Sequence, residues 1–77
     1  MDMKIIFSDH ALIKISQRRL SKKRIIATIE NPSFMKPSYN LREERYRRFG
    51  KNWLKAVVIH KQESITVITA HWVAKVP

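Results

Sequence analysis

The sequence predicts an α+β domain: a short strand, two helices, then a three- to four-stranded antiparallel sheet with both helices packed on one face. Three observations carry this. Apolar residues recur at helical spacing over Ala11, Leu12, Ile15 and again over Ile25, Ile26, Ile29. After Pro32 the pattern changes to the two-residue alternation of strands. Turn residues then cut the second half into strand-length segments, at Gly50 with Lys51 and Asn52, and at Lys61 to Ser64.

Taken in order, residues 3–7 (MKIIF) combine β-branched and aromatic side chains and read as a strand. Ser8 offers a hydroxyl to cap a helix start, and Asp9 puts negative charge in its first turn. That helix runs to about Arg18. Ser21 caps the second helix, which ends by Asn31 because Pro32 cannot continue it. Residues 33–40 (SFMKPSYN) form a loop or an edge segment, since Pro37 has no amide to give a central ladder. The segment ERYRRFG is a strand ending at the only glycine, and WLKAVVIH is apolar enough to be central. ITVITAHWV is the last strand.

Seventy-seven residues make one domain, 1–77, with a small core. Cysteine is absent, which excludes disulfides and the common structural zinc sites. No apolar run approaches the roughly 20 residues of a membrane span. The acid at position 2 and the short apolar run after it do not make a signal peptide, so the expected location is the cytoplasm.

Charge is the strongest global signal. Sixteen Lys and Arg against six acids give a net charge of +10, and each half of the chain carries eight basic and three acidic residues. The excess is spread through the fold, with dense stretches at Arg18–Arg24 and Arg42–Lys51. Such a field attracts polyanions and makes nucleic-acid binding salt-sensitive. An acidic protein partner, the ribosome, or solubility alone are the other uses of such charge.

Three groups of residues carry candidate chemistry. His10, Lys14 and Arg18 fall within about 80° on the first helix, a pitch that suits phosphates along a strand and also suits a solvated face. In the last strand, simple alternation puts Ile65, Val67, Thr69 and His71 on one face, running from a buried end to a polar rim. Thr69 and His71 are then the hydroxyl and imidazole of a site, or ordinary surface positions. Arg45, Arg47, Arg48 and Tyr46 suit phosphate contact and base stacking, or a wet edge protected by charge. Trp53 and Trp72 read as fillers of the core or an interface. With no Gly-rich loop, no paired carboxylates and three scattered histidines, neither a metal nor a cofactor is implied. An enzyme with this equipment would use histidine or basic residues as acid and base. RNA cleavage suits it, because the 2′-hydroxyl is an internal nucleophile.

Residues 7–32, FSDHALIKISQRRLSKKRIIATIENP, resemble the start of a widespread domain of unknown function. Its members read F-S-x-H-A-x-x-R-x-x-x-R-G-I-S, followed by a second helix ending in E/N-P. Its later segments look like RYRRFG, LKAVVIH and ITVITAHW. That domain is usually grouped with the RelE/ParE toxin superfamily, close to BrnT-like toxins. His10 and Ala11 match the His-Ala pair, and Arg18 matches the second arginine. Lys14 stands where arginine is usual, keeping the charge and losing the bidentate fork. Arg19 replaces the glycine before the I-S pair, here Leu20 and Ser21.

The resemblance implies a RelE-like sheet with two N-terminal helices, and a metal-independent endoribonuclease of the mRNA interferase type, balanced by a small acidic antitoxin. In that reading His10 and His71 serve as acid and base, Arg18 and Thr69 complete the catalytic set, and Lys14, Arg45, Tyr46, Arg47 and Arg48 hold RNA. The alternatives are a non-catalytic RNA- or ribosome-binding module and a ParE-like inhibitor of a protein target.

Overall fold

Two serines set the helix starts. In the computed structural model, which describes residues 3–76, β1 (Lys4–Phe7) leads directly into α1 (Asp9–Gln17). Ser8 Oγ accepts the Ala11 amide at 3.1 Å, satisfying one of the free N–H groups of the first turn. Ser21 Oγ does the same for the Arg24 amide at 3.3 Å at the start of α2 (Lys22–Glu30).

Between the helices the chain turns through Arg19, which has φ +53°. The Leu20 amide donates to Ile15 O at 2.9 Å and the Arg19 amide to Ser16 O at 3.2 Å. This pair of bonds is the Schellman closure, and Leu20 and Ile15 both enter the core beneath it. Arginine therefore keeps the left-handed conformation that glycine would adopt without strain.

Beyond Pro32 come β2 (Phe34–Pro37), β3 (Arg42–Phe49), β4 (Asn52–His60) and β5 (Ser64–Val73). The strand order is β1-β5-β4-β3-β2. The last four strands pair antiparallel in sequence, as their short connections require. β1 adds to the outside of β5 in parallel, with Ile5 beside Ile65 and Phe7 beside Val67. The sheet is thus five-stranded and mixed, larger than the three- to four-stranded antiparallel sheet expected. The α+β class holds, with β4 central and β2, bearing Pro37, at an edge.

Both helices pack on one face of this sheet. Ala11, Ile15, Leu20, Ile25 and Ile29 form a single cluster with Leu54, Ala56, Val58, Ile65, Val67 and Ala70. Leu12, expected in the buried stripe, is 38% exposed. Two hairpin turns also use positive φ. Gly50, at +66°, opens the two-residue β3–β4 turn. Asn40 and Leu41, at +56° and +62°, form the β2–β3 turn, closed by the Arg42 amide on Tyr39 O at 3.2 Å. Both central residues have the sign of a type I′ hairpin turn. Among the described residues no helix is long and apolar enough to cross a membrane.

One irregularity reorganises β5. Val58 pairs with Val67 while Val57 pairs with Thr69, so one step on β4 spans two on β5 and Ile68 is the extra residue of a bulge. Before the bulge, Ile65 and Val67 face the helices; after it, Ala70 and Trp72 do, opposite Ala56 and Leu54. Thr69 and His71 consequently turn to the uncovered face, opposite Val57 and Lys55. The expectation that Ile65, Val67, Thr69 and His71 share a face is corrected: the inserted residue reverses the alternation midway.

Candidate functional site

β1 ends early relative to its partner. The register stops at Phe7 with Val67, and the Ser8 amide takes Val67 O at 3.2 Å before the chain leaves as α1. From Ile68 onward the outer edge of β5 has no strand beside it among the described residues. Arg18, at the end of α1, reaches this edge and donates from Nη1 to Ala70 O at 2.8 Å and to Thr69 Oγ1 at 3.2 Å. The helix end, the bulge and the shortness of β1 together place a guanidinium beside the hydroxyl of Thr69.

His71 follows on the uncovered face, across from Lys55. Lys55 Nζ lies 3.6 Å from Glu44 Oε1, which also accepts the Tyr46 hydroxyl at 2.6 Å. Lys36 Nζ approaches the same carboxylate oxygen at 4.0 Å. A polar strip therefore crosses four strands, from Lys36 on β2 through Glu44 and Tyr46 to Lys55 and His71.

Electrostatics give the members distinct states. Burial lowers the pKa of His71, the positive charges of Lys55 and Arg18 lower it further, and Glu44 opposes them weakly. His71 is accordingly a neutral imidazole at pH 7, able to accept a proton. The hydrogen bond from Tyr46 lowers the pKa of Glu44 against the effect of burial, with help from Lys55. Tyr46 itself is pushed up, first by burial and then by Glu44, so it stays a phenol.

Arg18, Thr69 and His71 thus converge. His10 does not join them. It is exposed on α1, in the helix layer, eight residues and about 12 Å along the axis before Arg18, whereas His71 points away from the helices. Lys14 is half-buried on the turn between His10 and Arg18.

The strand arginines divide by face. Arg45 and Arg47 lie on the helix side, opposite Ala56 and Leu54. Arg45 pairs with Glu43 through Nε at 2.6 Å and donates from Nη1 to Ile29 O. Arg47 donates to Asn31 O at 3.1 Å and more distantly to Ala27 O at 3.5 Å. These bonds close the carbonyl end of α2, complementing its dipole. Arg48 is exposed on the uncovered face, with Nε on Gly50 O at 2.9 Å. Tyr46 is only 1% exposed beneath Phe34, whose ring centroid is 5.5 Å away, so its phenol acts through Glu44 and its ring is not open to a base.

Lys55 and Glu44 were not singled out by sequence. Lys55 had a usable signal: it is the only charge inside the apolar stretch WLKAVVI, where a charge on a central strand needs a partner. Among the described residues no group of three metal-ligating side chains gathers.

Fold and site together define a small basic α+β domain with a histidine set between two cations at a half-covered sheet edge. The chain belongs to the family described as Domain of unknown function (DUF4258), which matches residues 7–72 and so spans both helices, β2 to β4 and β5 as far as Trp72. No curated protein matches it, and no solved structure does.

Proposed function

We propose that this chain binds RNA along the uncovered β5 edge and cleaves it without a metal, as a cytoplasmic toxin-like ribonuclease related to the RelE/ParE superfamily. The observation that carries the reading is His71, kept neutral between Lys55 and Arg18 on the face of the sheet that the helices leave uncovered. A neutral imidazole flanked by fixed positive charge is what attack by a 2′-hydroxyl on its own phosphate requires. His71 takes the hydroxyl proton, and the 2′-oxygen bonds to phosphorus. The bond to the 5′-oxygen breaks, and that oxygen takes a proton from the Lys55 ammonium. Arg18, steadied by Thr69, balances the charge of the five-coordinate phosphorus. Lys14 and Arg48 extend the positive surface towards flanking phosphates. A small acidic antitoxin would cover the same strip.

The test is incubation of purified protein with end-labelled RNA and EDTA. Cleavage leaving 2′,3′-cyclic phosphate is expected, slowed about 10²- to 10⁴-fold by H71A and little by H10A. An H71A rate equal to wild type removes the mechanism.

The separation of His10 from His71 favours a second reading, an RNA- or ribosome-binding module without chemistry. It predicts salt-dependent affinity with uncut RNA.

A further inference from the structure

The helix side of the same β5 edge carries a second cluster that the cleavage reading does not use. Trp72 is 37% exposed there, a large apolar ring left partly in water at the end of the strand. Its neighbour Phe49 meets it edge-on, with centroids 6.0 Å apart and planes at 89°. The exposed Arg24, from the first turn of α2, holds its guanidinium 5.9 Å from the Trp72 centroid and 5.6 Å from that of Phe49. Arg47 lies 5.7 Å from the Phe49 centroid, so Phe49 is flanked by two guanidiniums and Trp72 is the outer ring of the group.

His71 and Trp72 are consecutive, so they point to opposite faces of β5. Between Ile68 and Val73 that strand has no outer strand partner among the described residues. A polymer crossing this edge can therefore touch His71, Lys55 and Arg18 on one side and Trp72 with Arg24 on the other. Phosphates suit the first set. A flat ring next to a guanidinium suits the π-face of an unpaired base.

We propose that Trp72 and Arg24 form a base-stacking subsite that makes this domain select single-stranded RNA, with the nucleotide beside the one at His71 draped over the β5 edge. The inference rests on the RNA reading above and adds to it the strandedness of the substrate. Stacking tolerates all four bases, so the subsite selects unpaired structure over sequence.

The experiment measures fluorescence anisotropy of a labelled oligouridylate of about eight nucleotides, a typical single-strand site size. Its abasic counterpart and a duplex of the same length are measured at the same salt concentration. Wild type and W72L are compared, leucine keeping apolar contact with Phe49 while removing the stacking face. Wild type is expected to bind the single strand more tightly than the abasic strand or the duplex. W72L should weaken single-strand binding about 5- to 150-fold, the range for loss of one stacked base, and leave abasic binding unchanged. The comparison of the normal and abasic strands on wild-type protein stands even if W72L fails to fold. Equal affinity of wild type for those two strands overturns the subsite and leaves RNA binding intact. No RNA binding by wild type overturns both. A W72L protein with unaltered RNA affinity and altered self-association assigns the ring to a protein contact and also overturns the subsite.

Discussion

Removing one oxygen atom from Tyr46 probes the polar strip most directly. Tyr46 is almost fully buried, and Y46F keeps the ring packing against Phe34. What is lost is the 2.6 Å hydrogen bond to Glu44. A bond to a charged acceptor contributes about 1.5–3 kcal/mol, against about 0.5–1.5 kcal/mol for a neutral one. In a domain of this size each kcal/mol moves Tm by about 4–8 °C, so Y46F should melt roughly 6 to 24 °C below wild type near pH 7. The pH dependence sharpens the test. The carboxyl of Glu44 has a lowered pKa in the fold, so its stabilisation is present above the unfolded carboxylate pKa and fades as pH falls through the folded one. Tyr46 is the largest cause of that lowering, and the gap between the two proteins should therefore narrow in acid, towards the value of a neutral bond. In alkali the raised pKa of Tyr46 works the other way: its contribution is present below the ordinary tyrosine pKa and lost above it, a loss that Y46F cannot show. Thermal melts by circular dichroism at several pH values measure all three regimes. A gap as wide at pH 3 as at pH 7, or a Tm within about 2 °C of wild type at pH 7, would refute the charged bond.

Three further outcomes follow from the same structure. R19G should stabilise the protein by about 0.5–1 kcal/mol, because relief of a left-handed side chain, about 1–2 kcal/mol, exceeds the entropy that glycine adds to the unfolded chain; a lower Tm for R19G would contradict the Schellman geometry. L41G should gain a similar amount in the type I′ turn while removing a side chain that is 91% exposed, and urea unfolding should show a higher midpoint at unchanged slope. By NMR titration, His71 should have a pKa below that of an ordinary histidine, raised by K55M and lowered further by E44Q; shifts of the same sign in both variants are incompatible with the charges placed around it.

The parts of this architecture that local chemistry decides were readable in the chain. Ser8, Ser21 and Pro32 bound the helices within a residue or two, and Gly50 marks its hairpin, because caps and turns act over three or four residues. The bulge was not readable. ITVITAHWV alternates acceptably in either phase, and the choice is made by Leu54, Ala56 and Val58 on the neighbouring strand. The parallel docking of β1 likewise depends on a strand sixty residues away, with Lys4 set beside Ser64. For the site, alternation put Thr69 and His71 on one face, and they do share one, although it is the opposite face from the one implied; that Arg18 lies against Thr69 was not legible in composition or spacing. Arg45 and Arg47 show the limit of charge as a guide. A guanidinium that closes the end of α2 looks the same in sequence as one held out to a phosphate.

The bond from Arg18 to Ala70 O has a consequence for solubility. A half-strand without a neighbour is a template on which any extended chain can continue the sheet, and proteins usually blunt such a template with charge or a covering side chain. Here one arginine does this, and it is the same arginine that a bound anion would draw towards itself. Occupancy of the strip and protection of the edge are therefore in competition: a ligand that takes the guanidinium releases the carbonyl. Crowding of unliganded copies is opposed by Arg18 and by the net charge of +10 together, whereas a polyanion weakens both restraints at once. Association of this protein with itself should accordingly be scarce in the free state and most readily provoked by a polyanion that occupies the strip.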